Sequence, residues 1–452
     1  MPSAPAKIKT HIFPNGFRVV YQPPANHMAI SHINAFCHVG SAHEDPLTRG
    51  ASHFVEHMCF KGTPKFHTSR DIEIQYDNIG AHFNAHTEKQ YTCYVVTCGD
   101  QYTEKCISIL GNIMLNSMFN KKEYKKELNV VIEESVRNLT DYGNTVYDNL
   151  HALIFKGSIY ENPIDTIKYH KTADTLKYED VVDFYREHYI PENMVLSITT
   201  SLPFSKIVDI IKDSDYMKIR TKSSPILNTI PRMIMEAQQD VQLACEHVAK
   251  MKSVYLTIGF RVCPLYHPDC YGLKFLQNLI GGMFTSRLFT LLREKNGLTY
   301  QSNVRSTFYE NAGAFVFYAI TDTKKLMHNG TASKKGVLPL IVGLLNDLVK
   351  NGITQEEVTK TKHNLKGHVA NMLENADSQS YYNGLRVLLH NEREIVPFED
   401  VYSAHYDKIT KSYMNSLIRK YFRRDLMNVC LVGGGIPSHQ LLMKSLDEFR
   451  HE

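Results

Sequence analysis

Apolar positions along the first half of the chain follow two alternating rhythms. Phe17-Arg18-Val19-Val20-Tyr21 follows the turn signal Pro14-Asn15-Gly16 and predicts a strand. Residues 30–39 and Tyr91-Thr92-Cys93-Tyr94-Val95-Val96-Thr97 predict two more, the second rich in aromatic and β-branched side chains. Residues 50–60 are apolar on one helical face, and residues 103–116 and 123–138 carry long helical patterns. Strands interspersed with helices argue for a layered α/β or α+β domain.

The pattern breaks between about residues 216 and 234, where Arg220-Thr221-Lys222-Ser223-Ser224-Pro225 and Pro231 are polar or proline-bearing. Residues 220–235 read as a linker between an N-terminal domain, 1–219, and a C-terminal domain, 236–452. The halves also echo each other. Thr68-Ser69-Arg70 precedes Gly80, and Thr285-Ser286-Arg287 precedes Gly297, with the same arginine-to-glycine interval. A period of about 217 residues is far too long for a solenoid and predicts two related domains.

Composition narrows the classes. The chain has 452 residues, 43% of them hydrophobic, which is enough for two cores and excludes a disordered protein. The formal net charge is only +4, so nucleic acid is not an expected partner. Nine cysteines without CxxC spacing do not form a disulfide framework or a zinc ribbon. No apolar run reaches the roughly 20 residues that span a bilayer. Neither a secretory signal nor an Arg-rich transit peptide is visible in residues 1–10. A soluble intracellular, cytoplasmic protein is expected, with a mitochondrial matrix-type compartment as the alternative.

The candidate chemistry lies in His53-Phe54-Val55-Glu56-His57. On a helix, positions i and i+4 share a face, so two imidazoles can reach one tetrahedral ion. Glu56 is on the same side and can accept a proton from a metal-bound water. This is HxxEH, the reverse of the HExxH zinc helix. A catalytic zinc needs a third protein ligand and an open position. Glu127 and Glu134, seven apart, share a helical stripe with Val130 and Val131, and partly buried carboxylates need partners. Glu134 is taken as the third ligand and Glu127 as an assisting carboxylate, with Glu133 as the alternative ligand. A structural zinc would need a fourth ligand, and Cys59, at i+2 from His57, points away on a helix.

These segments resemble the pitrilysin/insulinase metallopeptidases, which include the catalytic subunit of mitochondrial processing peptidase and short bacterial-type relatives. The resemblance rests on Gly40-Ser41, Glu44 and Gly50-Ala51-Ser52-His53-Phe54-Val55-Glu56-His57-Met58-Cys59-Phe60-Lys61-Gly62-Thr63, and on the downstream Glu127 and Glu134. It implies an α+β fold of two related α/β-sandwich domains, mostly antiparallel with helices on one side, forming a clam-like pair. It implies a zinc metalloendopeptidase with His53, His57 and Glu134 on one Zn2+ per chain. Glu56 is then the general base and Glu127 a supporting acid. Asn84-Ala85-His86-Thr87 resembles the family's substrate-pairing edge strand, which points to Asn84 and Ala85. Leu292-Arg293-Glu294-Lys295-Asn296-Gly297-Leu298-Thr299-Tyr300 resembles a second-half segment in which Arg293 and Tyr300 bind substrate.

The chain departs from the catalytic processing peptidase subunits where two acids receive a presequence arginine: Asp148 is kept and the other falls on Asn144. Of the glycine-rich loop of the non-catalytic subunit only Gly281-Gly282 is present. The expected substrate is an extended or unfolded peptide. A homodimer, or a heterodimer with a related subunit, is the expected assembly if the chain does not close alone. The competing reading is a non-catalytic core-type subunit of the same fold.

Overall fold

A computed structural model describes residues 8–24, 29–165, 176–218, 238–329, 331–390, 395 and 397–451. The linker expected at 220–235 lies outside the described residues. Contacts divide the chain into two compact units. The first draws on 1–136, 162–231 and 369–400, the second on 137–161, 232–368 and 401–452.

The first unit is built on β1 (Lys9–Ile12), β2 (Arg18–Gln22), β3 (Ile30–Cys37), β4 (His82–Thr87), β5 (Thr92–Gly99) and β6 (Met194–Thr199). They form one sheet in the order β1-β2-β6-β3-β5-β4. Only β2 and β6 run parallel. The helices α1 (Ala51–Cys59), α2 (Ser69–Asp77), α3 (Thr103–Leu115) and α4 (Lys121–Asn138) belong to this unit. Period-two alternation sends Val19, Tyr21, Ile33, Ala35 and Cys37 into one core with Phe54, Val55, Met58, Ile109 and Ile113 from the helices. The opposite face is covered as well: Val20, Phe36, Cys93 and Val195 pack with Val387 and Leu388 of the helix Ala376–His390. Helices therefore lie on both faces, because both sets of alternating side chains are apolar.

The second unit repeats the plan. Its sheet runs β7 (Gln242–His247), the strand Met427–Gly433, β8 (Ser253–Val262), β10 (Gly313–Asp322) and β9 (Thr299–Phe308), and again one pair, β7 with Met427–Gly433, is parallel. The helix α5 (Tyr142–Ile154), from early in the chain, packs here: Gly259 of β8 leaves room for Leu150 and Ile154, and Arg261 donates to the Ile154 carbonyl at 2.6 Å. The glycines that marked the repeat share a conformation, Gly80 at φ +62° and Gly297 at φ +59°, where only a residue without Cβ turns freely. Each leads from a helical segment into an edge strand, β4 or β9. Among the described residues no single helix is long and apolar enough to cross a membrane.

Candidate metal centre

The helix α1 starts at an unusual cap. Gly50, at φ +88°, leaves two N-terminal amides turned toward Glu44. Its Oε2 accepts from the Gly50 N–H at 2.8 Å and its Oε1 from the Ser52 N–H at 2.9 Å. Burial pushes the Glu44 carboxyl up to about 7, against the pull of those bonds. Phe54, Val55, Met58 and Cys59 bury one side of the helix. The remaining stripe carries His53, Glu56 and His57.

His53 and His57 point Nε2 at Nε2, 3.2 Å apart, and Glu134 Oε2 on α4 lies 3.5 Å from His57 Nε2. Ligand atoms of all three residues lie within 4.8 Å of one another, and among the described residues this is the single such group of histidine, cysteine and acidic side chains. Two ligands held about 2.1 Å from one tetrahedral ion stand roughly 3.4 Å apart. The spacing therefore fits zinc. The donor chemistry fits too, because two imidazole Nε2 atoms face each other with a carboxylate beside them. His57 Nδ1 is occupied by Glu127 Oε1 at 2.8 Å, and Glu127 Oε2 meets Lys61 Nζ at 2.7 Å. That bond makes Nδ1 the protonated nitrogen of a neutral His57 and turns the Nε2 lone pair toward the cluster.

The charges respond to this crowding. Burial opposes a charged His57, but Glu127, Glu56 and Glu134 outweigh it and hold the imidazole above its usual range. Burial, followed by the charge of His57, lowers His53. Glu127 is itself buried, yet its bonds to His57 and Lys61 keep it below the usual carboxylate range. Burial raises the Glu56 carboxyl, and the Thr87 hydroxyl, which donates to Glu56 Oε2 at 2.6 Å, pulls it back.

Thr87 ends β4, the edge of the first sheet. Pairing with β5 satisfies one side of β4, and among the described residues no strand pairs with its other side. Asn84 and Ala85 lie on this strand, with the Asn84 side chain accepting from the Ala85 N–H at 2.9 Å. Phe83 packs on Tyr76 and Phe60, while Thr87 reaches Glu56. One face of the edge strand thus abuts the candidate centre.

Other expected residues sort as follows. On α4, Glu127 and Val131 are buried and Glu134 is half-buried, but Val130 is 49% exposed and Glu133 is fully on the solvent side. The valine stripe is therefore Val131 alone, because α4 rotates by 3.6 residues per turn and Val130 falls off the buried arc. Asn144 donates to Asp141 Oδ2 at 3.0 Å within the first turn of α5. Arg293 and Tyr300 belong to the second unit: Arg293 Nη1 donates to the Thr299 carbonyl at 2.8 Å, and Tyr300 is 75% exposed. Cys59 is fully buried and stands apart from the ligand group. Sequence reasoning assigned nothing to Thr87 or Lys61. Both sit inside the motif stretches, but their partners are 31 and 66 residues away in the chain, beyond any local period.

The family model described as insulinase, peptidase family M16, matches residues 19–166, and the model of the M16 inactive domain matches 175–365. An uncharacterized zinc protease of Rickettsia felis is 30% identical over 65% of this chain and 69% of that protein.

The chain belongs to the insulinase family, M16.

Among its M16 relatives, the uncharacterized zinc protease YmxG of Bacillus subtilis is 27% identical over 95% of this chain and all of that protein. The mitochondrial-processing peptidase subunit beta of Caenorhabditis elegans is 26% identical over 93% of this chain and 88% of its own. A protease from Helicobacter pylori shares the fold with a TM-score of 0.84, at 20% identity over 94% of this chain and 99% of that one. The M16 inactive-domain match covers residues 236–365 of the second half, and that half contains no HxxEH.

Proposed function

We propose that this chain is a zinc-dependent metalloendopeptidase that cleaves extended or unfolded peptides. The observation that carries the reading is the convergence of His53, His57 and Glu134 beside the Glu56 carboxylate. His53, His57 and Glu134 would hold one zinc ion per chain. Bound there, zinc supplies acidification of a water and polarisation of the scissile carbonyl. Glu56 takes the proton of the attacking water and delivers it to the leaving amine. Thr87 fixes one oxygen of Glu56 for that exchange, and Glu127 fixes the ring of His57.

Asn84 and Ala85 offer the open side of β4, where an extended peptide adds as a further strand through main-chain hydrogen bonds. Such pairing reads backbone, so selectivity for side chains is broad. Arg293 and Tyr300 are assigned to substrate binding on the resemblance of their segment to the family. Asn144, with an amide where the processing peptidases carry an acid, argues against arginine-directed presequence cleavage. The name of the nematode relative, a subunit, supports pairing with a second subunit, which light scattering of the purified chain tests directly.

The test is Glu56→Gln, assayed with an unstructured peptide alongside metal analysis. One zinc per chain with cleavage lost in the variant is the expected result. Full activity in the variant overturns the role of Glu56. A wild-type chain that binds zinc without cleaving any member of a peptide library supports the core-type subunit instead.

A further inference from the structure

Cysteine is the residue type for which the proposed activity has no use. Nine are present, none in a disulfide. Two pairs of thiols are in contact, Cys98 with Cys106 and Cys263 with Cys270, and in the second the two Sγ atoms are 3.7 Å apart. Cys263 follows the end of β8 and Cys270 lies in the first turn of the helix Asp269–Gln277. A disulfide needs its sulfurs about 2.05 Å apart, so each has to give less than about 1 Å.

The surroundings also divide the two thiols by role. Contact with Cys270 favours the Cys263 thiolate; burial and the Asp269 charge oppose it, and Tyr421 and Lys420 support it. Cys270 directs its S–H at the Pro264 carbonyl, which makes it the partner that keeps its proton. Lys420 is fixed in place by Asp269 Oδ2 at 2.6 Å, which also accepts from the Tyr421 hydroxyl at 2.7 Å. The Cys270 thiol lies 3.0 Å from the Pro264 carbonyl, so the connecting loop holds it against Cys263. Both side chains are nearly covered, at 6% and 3% exposure, which admits only a small oxidant.

We propose that Cys263 and Cys270 are a redox-modification site that closes to a reversible disulfide under peroxide. The Cys263 thiolate attacks one peroxide oxygen, the O–O bond breaks, and the departing hydroxide takes up a proton to become water. Cys263 is then a sulfenic acid. The Cys270 sulfur attacks it, the S–O bond breaks, and a second water leaves with the Cys270 proton. In sum two thiols lose two hydrogens and one hydrogen peroxide becomes two waters. A small dithiol reverses the step by thiol–disulfide exchange.

The test treats the full-length folded protein with increasing hydrogen peroxide, then blocks free thiols and maps peptides by mass spectrometry without reduction. A peptide linking Cys263 to Cys270 is expected before any change at the fully buried Cys37, Cys59 and Cys93, and dithiothreitol should remove it. In Cys270→Ser the reaction should stop at a Cys263 sulfenic acid that dimedone traps. Cys263 passing to the sulfinic acid with no linked peptide, or both thiols staying reduced until circular dichroism reports unfolding, overturns the proposal. The wild-type map decides the question even if a serine variant fails to fold.

Discussion

His57 Nδ1 and Glu127 Oε1 lie 2.8 Å apart, and this contact orients the imidazole whose Nε2 faces His53. A carboxylate behind a metal-bound histidine fixes the tautomer and raises ligand basicity. Glu127→Gln keeps the size and removes the charge. Zinc affinity is expected to fall roughly 10- to 100-fold, read by competition with a chelating dye. Unchanged affinity would detach Glu127 from the centre.

Thr87 holds Glu56 through one hydroxyl at 2.6 Å. Thr87→Val preserves the branched shape on β4 and deletes that donor. A hydrogen bond to a charged group is worth about 1.5–3 kcal/mol, so kcat should drop at least about tenfold. Zinc content should stay at one per chain and KM should change little. A loss confined to KM would assign Thr87 to substrate binding instead.

His43 sits between two other imidazoles, its ring centroid 5.4 Å from His38 and 5.9 Å from His188. Burial pushes His38 down to about 4 and holds His43 well below its usual range, with Arg18 and the neighbouring imidazoles adding to it. Both are neutral when folded and titrate near 6.5 when unfolded. Their contribution is complete above about pH 6.5 and is lost as pH falls toward 4, each group adding at most about 1.4 kcal/mol per pH unit. Glu44, raised to about 7, works in the opposite sense, because its folded form retains a proton that the unfolded chain releases. Glu310, also raised to about 7, adds to the opposing sense, so the cluster is read from a difference between proteins. Between pH 7 and pH 5 the urea midpoint of wild type should lose ground relative to His43→Gln. A difference between the two that stays constant over this range would show that His43 is not titrating.

The first sheet depends on a distant segment. Val20, Phe36, Cys93 and Val195 are covered by Val387, Leu388 and Ile395. A fragment of residues 1–219 lacks that cover and exposes an apolar sheet face. It is expected to aggregate when made alone and to recover solubility and its circular dichroism when co-expressed with 236–452. A folded, monomeric 1–219 would contradict the dependence.

Much of this protein follows from local periodicity. The helical patterns read at 103–116 and 123–138 correspond to Thr103–Leu115 and Lys121–Asn138, and the strand read at 30–39 to Ile30–Cys37. His53, Glu56 and His57 fall on one stripe because 3.6 residues per turn dictate it, whatever the rest of the chain does. The Arg-to-Gly spacing disclosed the repeat because an αL glycine is needed at the same point of both halves. None of this required knowledge of where distant residues go.

Tertiary packing decided the rest. Heptad spacing put Glu127, Val130 and Val131 on one stripe, but packing against the core buried Glu127 and Val131 and left Val130 in solvent. Glu127 meets Lys61 and Glu56 meets Thr87 only because α4 and β4 are brought against α1. The exchange of α5 and the helix Ala376–His390 between units was equally hidden, since an amphipathic helix declares that it has an apolar face but not which sheet will cover it. Sequence period specifies a side chain's direction within its own element; only the packed chain specifies what lies in that direction.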